Sequence, residues 1–334
     1  MRVGLIGAGR IASIHAETLA AHRDVDRLTV FDVVPEVAGR LAELHGANVV
    51  DSAERLLGSA DAVVIASSTD THVEYLVQAA EARLPAFCEK PIALTLEETD
   101  RAIAALDKAD IPVQIGFQRR FDPGYRAAHD LVASGRLGEV LFVTAHTRDP
   151  APPHEEYISR SGGIFKDMLI HDIDALRFVT GSEVVTAYAT GSNLTMPMFE
   201  AHGDLAMAAM VAHLEQGALA ILSGSRRDPL GYDVRMEVYG TEDSVAVGLD
   251  AHTPIRSLEA GVPPPVEPVT RGWLDRFKGA YVAEIHAFIE VAAGARATPC
   301  TPQDARAAIV VAEAFGRSAE TGTPVTVGDR RAGS

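Results

Sequence analysis

Residues 3–15 of the chain read VGLIGAGRIASIH, an apolar run followed by a glycine-rich turn and the start of a helical pattern. Gly7, Gly9 and Ala12 form a G-x-G-x-x-A motif in this stretch. The first glycine permits a tight turn, the second lets the backbone approach a pyrophosphate, and the small alanine allows a helix to pack closely on a strand. The stretch predicts a dinucleotide-binding βα unit, and the alternative is a tight βα turn without a ligand.

The same alternation continues through the first 116 residues, where short apolar runs are followed by amphipathic helical stretches. Strands are predicted at 2–6, 28–31, 62–66, 86–88 and 113–115, and helices at 11–21, 35–44, 71–82 and 96–109. Strands that are apolar throughout and followed by helices favour a parallel sheet covered on both faces. This part of the chain is therefore predicted to be a doubly wound α/β domain.

The pattern changes after Gly116. Helices are predicted at 123–133, 165–180, 273–293 and 302–321, and strands at 140–147, 183–190, 205–214, 218–225, 232–239 and 244–249. Successive strands joined by short turns favour an antiparallel sheet. Residues 149–163, DPAPPHEEYISRSGG, predict an irregular loop because of their prolines and glycines, and the loop is long enough to be functional.

The composition of the chain narrows its possible binding partners and its expected cellular location. The 334 residues suffice for about two domains. Thirty basic against 46 acidic residues give a net charge of −16, so nucleic acid and anionic membranes are predicted not to be partners. Cys88 and Cys300 cannot form a disulfide framework, and no apolar stretch approaches the roughly 20 residues of a membrane span. With no signal peptide in the sequence given, the expected location is the cytoplasm.

Asp32 directly follows the second predicted strand, at 28–31, and lies downstream of the glycine motif. A carboxylate at this position accepts hydrogen bonds from a ribose diol and repels a 2′-phosphate, so the sequence favours NAD over NADP. The alternative is an aspartate that caps a helix or turn. Ser67 and Thr69, after the strand at 62–66, are also predicted to line the cofactor.

Three side chains suit proton transfer and charge stabilisation. Lys90 follows the strand at 86–88, at the sheet edge where open α/β folds bind ligands, and Pro91 restricts its backbone. Asp167 and His171 stand four residues apart in the predicted helix 165–180, so they share one face and the carboxylate can hold the imidazole. A surface lysine and a solvated ion pair are the alternatives.

His15 and His72 also lie near the cofactor edge by sequence. Neither has a cysteine or histidine neighbour at the spacing of a metal site, and no metal is predicted. A role on the helix surface is an equal alternative for both.

Several segments together resemble the Gfo/Idh/MocA oxidoreductase family, and within it most closely the inositol 2-dehydrogenases. They are GAGRIA (7–12), Asp32, FCEKP (87–91), GFQRRFDPGY (116–125), RDPAPP (148–153), SGGIFKDMLIHDIDALRF (161–178) and RFKGAYVAE (276–284). The resemblance runs from residue 1 to about 325. It implies an N-terminal Rossmann domain, 1–118, and a C-terminal α+β domain with a large open, mainly antiparallel sheet, 119–327, followed by a tail, 328–334.

The resemblance also implies roles for individual residues. It matches Lys90, Asp167 and His171 to the catalytic Lys, Asp and His of the inositol dehydrogenases. The implied cofactor contacts are Gly7, Gly9, Arg10, Ile11, Asp32, Ser67, Thr69, Glu89 and Lys90, and the implied substrate contacts are Arg120, Asp149 and Tyr232. A surface ion pair, a turn and a core position are the respective alternatives for these last three.

The resemblance thus predicts an NAD-dependent dehydrogenase of a cyclic polyol such as myo-inositol, assembled as a homodimer or homotetramer. Gln118, Leu230 and Lys166 depart from the residues expected of an inositol enzyme, so a related polyol or an aldose oxidised at its anomeric carbon is an alternative. A non-catalytic NAD(H) sensor is a second alternative, although a sensor has no need for the Lys, Asp and His set.

Overall fold

The computed structural model describes residues 1–328, and the chain divides into two compact units. The first comprises Met1–Phe121 and Gly279–Ala307, and the second comprises Asp122–Lys278 and the residues from Ala308 onward. This division differs from the predicted continuous domains 1–118 and 119–327, because residues 279–307 belong to the first unit. The predicted tail 328–334 lies, beyond Gly328, outside the described residues.

The first unit is built around a six-stranded sheet in the order β3-β2-β1-β4-β5-β6. Its strands are β1 (Arg2–Ile6), β2 (Arg27–Phe31), β3 (Asn48–Val49), β4 (Ala62–Ile65), β5 (Ala86–Glu89) and β6 (Val113–Gly116). The helices between them are α1 (Arg10–Ala21), α2 (Pro35–His45), α3 (Ala53–Leu57), α4 (Thr69–Glu81) and α5 (Leu96–Ala109), and a 3₁₀ helix follows at Gln118–Phe121. Every neighbouring pair runs parallel, which confirms the doubly wound prediction.

The core of the first unit explains why residues 279–307 belong to it. Ile285, Phe288 and Ile289 are buried in the same apolar cluster as Val3 and Leu5 of β1. These three residues lie on one face of the long helix α11 (Trp273–Ala292), with the spacing expected of a buried helical stripe. Apolar periodicity shows that such a helix has a buried face, but it does not show which sheet the face covers.

The second unit contains a seven-stranded sheet in the order β12-β11-β7-β10-β9-β8-β13. Its strands are β7 (Val140–Arg148), β8 (Val184–Ser192), β9 (Met207–Leu214), β10 (Leu219–Ser225), β11 (Asp233–Gly240), β12 (Ser244–Val247) and β13 (Val325–Thr326). The helices are α6 (Pro123–Ala133), α7 (Glu155–Ser161), α8 (Gly163–Asp167), α9 (Ile170–Thr180) and α10 (Met198–Ala201), and α12 (Pro302–Thr321) runs on into this unit from the first. Apart from the parallel pair β7–β10, the sheet is antiparallel, as predicted.

Two predicted elements of the second unit are wrong. Residues 149–163 are not irregular throughout, since α7 occupies Glu155–Ser161 after the prolines end. The helix predicted at 165–180 is two helices, because Leu169 N–H donates to the carbonyl of Ile164 in a widened turn that ends α8 before α9 begins. Within residues 1–328, no helix combines the length and apolar character needed to cross a membrane.

Candidate active site

The glycine turn after β1 has the geometry of a phosphate-binding turn. Gly7 has φ of +99°, and a Cβ there would lie 2.5 Å from the carbonyl oxygen of Ala66, so a larger residue would clash with backbone. Gly9 directly precedes α1, and a Cβ built on it meets nothing within 4 Å. The N-terminus of α1 therefore faces open space in which its N–H groups can bind a phosphate.

Asp32 is fixed at the end of β2 by two backbone hydrogen bonds. Its Oδ2 accepts from Ala8 N–H at 2.7 Å, and its Oδ1 accepts from Val34 N–H at 2.9 Å. A carboxylate has about four lone-pair sites, so it can still accept bonds from a ribose diol. These bonds join the glycine turn to the end of β2, and the bond from Val34 N–H is the turn contact named as the alternative for Asp32. Its contact with a ribose diol stays a prediction.

A cavity of about 560 Å³ opens beside Asp32. It is lined by Phe31, Asp32, Val33, Pro35, Val49, Val50, Asp51 and Arg55. The mixture of apolar walls with a carboxylate at the strand end suits the adenosine half of a dinucleotide. The residues of the first unit thus fit NAD, and Gly7, Gly9 and Asp32 are the ones that would hold it.

The other predicted cofactor residues also lie in the first unit. Arg10 and Ile11 open α1, Thr69 opens α4, and the Ser67 hydroxyl lies 2.7 Å from that of Thr71. Lys90 is half-buried directly after β5. Glu89 is buried instead, and its Oε1 lies 2.7 Å from Nε2 of His15. Its side chain is therefore engaged inside the unit.

In the second unit, Asp167 lies in a cluster that the sequence did not predict. Its Oδ1 accepts from the Tyr157 hydroxyl at 2.8 Å, and its Oδ2 lies 2.9 Å from Nη2 of Arg226. We call Tyr157, Asp167 and Arg226 the Asp167 cluster. Asp149, a predicted substrate contact, joins it through Nη1 of Arg226 at 3.7 Å.

Arg226 is 4% exposed and directly follows β10. Burial lowers the pKa of its guanidinium, but the charges of Asp167 and Asp149 outweigh burial and raise that pKa above its ordinary value. Arg226 therefore stays charged at every working pH, and it fixes the orientation of the Asp167 carboxylate.

His171 lies at the start of α9 and is half-buried. The expectation that it shares one continuous helix face with Asp167 is wrong, because Asp167 ends α8 and the turn at Met168 and Leu169 lies between them. The four-residue spacing thus does not define their geometry. Both side chains nevertheless belong to the second unit, close together in the chain.

The two remaining predicted substrate contacts lie in different units. Arg120 is buried in the first unit, with Nη1 donating to the carbonyl of Pro299 at 3.2 Å and Nη2 at 3.3 Å from Asp304. Tyr232 is 8% exposed in the second unit, and its N–H donates to the carbonyl of Thr270 at 2.8 Å. Their contact with a substrate stays a prediction.

The six-stranded parallel sheet, the glycine turn and Asp32 define a class of protein, the NAD-dependent oxidoreductases with a Rossmann domain. Residues 1–117 match the model of an oxidoreductase family with an NAD-binding Rossmann fold, and residues 125–246 match the GFO/IDH/MocA C-terminal domain. The chain belongs to the Gfo/Idh/MocA oxidoreductase family.

Individual relatives cover nearly the whole chain. An uncharacterized oxidoreductase, YrbE of Bacillus subtilis, is 36% identical over 97% of this chain and 96% of its own length. Inositol 2-dehydrogenase of Rhizobium meliloti is 37% identical over 95% of this chain and 96% of its own. The crystal structure of scyllo-inositol dehydrogenase from Lactobacillus casei with NAD(H) and scyllo-inositol has a TM-score of 0.88 at 27% identity, covering 98% of each chain.

The sequence did not predict Tyr157 or Arg226 as site residues. Tyr157 lies in the segment predicted to be a functional loop, and Arg226 follows a correctly predicted strand, but nothing in either local pattern points to Asp167. The sequence also did not predict a buried trio, in which ligand atoms of His15, Glu89 and Glu284 all lie within 4.8 Å of one another. Spacing along the chain gave no sign of this trio.

Proposed function

We propose that the protein is an NAD-dependent dehydrogenase that oxidises a secondary hydroxyl of a cyclic polyol, with myo-inositol as the first candidate. The observation that carries the proposal is the 37% identity, over 95% of the chain, to an inositol 2-dehydrogenase. The L. casei structure with scyllo-inositol supports the same substrate class. Lys90, Asp167 and His171 are the proposed catalytic residues.

NAD, when bound, supplies the hydride acceptor. Neutral His171 takes the proton of the substrate hydroxyl, and Asp167 stabilises the imidazolium that results. Tyr157 and Arg226 hold the Asp167 carboxylate in one orientation. Lys90 stabilises the negative charge that develops on the substrate oxygen.

The proposed substrate contacts are Arg120, Asp149 and Tyr232. Asp149 has the clearest structural support, because Arg226 links it to the Asp167 cluster. A carboxylate and a guanidinium beside the proposed acid–base pair can accept from and donate to several hydroxyls of a polyol. Replacing Asp149 by Asn should therefore raise the KM for the polyol more than it lowers kcat.

A panel of cyclic polyols and aldoses with NAD tests the proposal, with formation of reduced cofactor as the measurement. NADH should form with myo-inositol or another cyclic polyol. Turnover with aldoses but with no cyclic polyol would mean that the substrate is an aldose. NADH binding without turnover on any member of the panel would instead favour a non-catalytic sensor.

The proposal includes a homodimer or homotetramer in the cytoplasm. Tyr188, Val211 and Ile221 are large apolar side chains, each 37–41% exposed, that pair across β8, β9 and β10 on the open face of the sheet. A contiguous exposed apolar stripe of this kind favours burial against a second copy.

Light scattering tests the assembly. Wild-type protein should run as a dimer or tetramer, and Val211→Glu should shift it toward the monomer because a buried charge opposes association. Leu44→Glu, at a 71% exposed position of the first unit, is the matched control and should leave the assembly unchanged. A monomeric wild type would contradict this part of the proposal.

A further inference from the structure

Two buried histidines hold the residues on either side of Lys90. Nε2 of His15 lies 2.7 Å from Oε1 of Glu89, the residue before Lys90. Nδ1 of His72 lies 2.8 Å from the carbonyl oxygen of Pro91, the residue after it. All five residues belong to the first unit, so Lys90 is flanked by two fixed neighbours.

His15 connects this segment to the helix of the glycine turn. It lies in α1 and is completely buried, with its ring edge-on to Phe87 at 5.3 Å. Gly116 leaves room for the Glu89 carboxylate, since a Cβ there would lie 3.1 Å from its Oε2. A carboxylate only accepts, so Nε2 of His15 donates this bond and joins α1 to the end of β5.

His72 connects the same segment to the loop after β4. Its other ring nitrogen, Nε2, lies 3.1 Å from the carbonyl oxygen of Ser67, a predicted cofactor residue. Both carbonyls only accept, so whichever nitrogen carries the proton donates to one of them. His72 is 1% exposed, and water therefore does not compete effectively for these carbonyls.

We propose that His15 and His72 are positioning residues that hold Lys90 in register with the cofactor-binding turn, His15 through Glu89 and His72 through the carbonyl of Pro91. The inference rests on the proposed function, because it requires Lys90 to act in turnover. The physical reason is that a displacement of about 1 Å in a catalytic group can cost about a hundredfold in rate. A lysine on a short segment after a strand needs such support, because its own long side chain is flexible.

Glu284 of α11 is the third member of the buried trio. It is completely buried, and burial together with the negative charge of Glu89 raises the pKa of its carboxyl well above the ordinary value. With a neutral Glu284, Glu89 carries the negative charge, and His15 donates to it. The competing arrangement is a divalent cation bound by His15, Glu89 and Glu284, which would need Glu284 ionised.

The first test compares His15→Leu and His72→Leu with wild type. Each should lower kcat by about tenfold or more, with the dissociation constant for NADH changed less, because the glycine turn and Asp32 remain. His15→Gln should retain most of the turnover that His15→Leu loses, since the glutamine amide keeps an N–H donor that can reach Glu89. Thr18→Val, which removes a buried hydrogen bond to Ile14 in the same helix, is the matched control and should retain turnover.

The second test repeats His15→Leu in a Lys90→Ala background. If His15 acts through Lys90, the double variant should turn over as slowly as Lys90→Ala alone. An equal loss in both backgrounds would overturn the positioning role. Wild-type turnover in Lys90→Ala would instead remove Lys90 from the proposed mechanism, so the two failures are distinguishable.

Glu284→Gln distinguishes the neutral acid from the cation site. Glutamine imitates a protonated carboxyl, so turnover should persist and the purified wild-type protein should contain no stoichiometric metal. The variant should also be more stable than wild type, increasingly so as pH rises above about 4.3. Above that pH the unfolded wild-type chain readily loses the Glu284 proton, whereas burial and the charge of Glu89 oppose its loss in the folded chain, and glutamine has no such proton. Stoichiometric metal, or loss of turnover and stability in Glu284→Gln, would overturn the proposed arrangement.

Discussion

The glycine turn of the first unit and the Asp167 cluster of the second are built from different parts of the chain. In the turn, backbone N–H groups and missing side chains create the site, and residues 7–12 contain most of it. In the cluster, charged side chains create the site, and Tyr157, Asp167 and Arg226 come from three separate segments. A backbone site tolerates few substitutions but is local, whereas a side-chain site depends on the folded unit as a whole.

The comparison predicts that the two regions can be inactivated separately. His171→Ala should lower turnover by about a hundredfold or more, because no base remains for the hydroxyl proton. NADH affinity should stay nearly unchanged, since the predicted cofactor contacts lie in the first unit. Steady-state turnover beside a cofactor titration measures both quantities.

His171 also sets the direction in which turnover changes with pH. A base must be neutral to accept a proton, so oxidation should weaken on the acid side of neutrality as His171 becomes protonated. Arg226 does not titrate in this range, because its pKa is raised from an already high value. A pH profile of kcat that stays flat through the acid side would exclude His171 as the base.

Arg226 offers a way to break the cluster. Arg226→Met leaves the Asp167 carboxylate, whose side chain is 12% exposed, without its cation, and removing one partner of an ion pair with so little access to water costs up to about 3–5 kcal/mol. The expected result is a lower unfolding midpoint together with reduced turnover. Arg226→Lys keeps the positive charge but cannot place one nitrogen at Asp167 and another at Asp149. Compared with Arg226→Met, it should therefore regain more of the stability than of the turnover. Wild-type stability in Arg226→Met would show that the ion pair contributes little.

In the first region, Asp32 is expected to set the preference for NAD over NADP. The catalytic efficiency with NAD should exceed that with NADP by about 1–3 kcal/mol, and Asp32→Ser should narrow the difference by removing repulsion of the 2′-phosphate. The measurement is kcat/KM with each cofactor. An unchanged ratio in the variant would mean that another part of the cavity, such as the neighbouring Asp51–Arg55 pair, sets the preference.

The smallest expected effect is at Ser67. Ser67→Ala removes one hydroxyl that lies 2.7 Å from that of Thr71, and a single hydrogen bond of this kind contributes about 1 kcal/mol. The KM for NAD should rise less than tenfold, with kcat unchanged. A larger effect on kcat than on KM would give Ser67 a role beyond cofactor contact.

The sequence predicted the first region well because the determinants are local. In the first unit, the strand at 2–6 and the helix at 96–109 have the predicted bounds. Gly7, Gly9 and Asp32 could be read from a motif whose spacing reflects the backbone of one βα unit. The placement of residues 279–307 in the first unit could not be predicted, since apolar periodicity identified α11 but not the sheet that it covers.

The second region was only partly predictable because its contacts are not local. Asp167 and Asp172 look alike in sequence, yet Asp172 is fully buried and accepts from the Thr147 hydroxyl, which indicates a structural role. The break between α8 and α9 depends on a widened backbone turn that helix propensity does not reveal. The partners Tyr157 and Arg226 become visible only when β10 and α7 are placed beside α8.

The separation of cofactor binding from proton transfer is tested most directly by titrating NADH into Gly7→Ala and His171→Ala. Gly7→Ala should lose NADH affinity, because its new Cβ would lie 2.5 Å from the carbonyl oxygen of Ala66 at φ of +99°. His171→Ala should bind NADH as wild type does while its turnover is lost. Wild-type NADH affinity in Gly7→Ala, or lost NADH affinity in His171→Ala, would contradict the separation of cofactor binding from proton transfer.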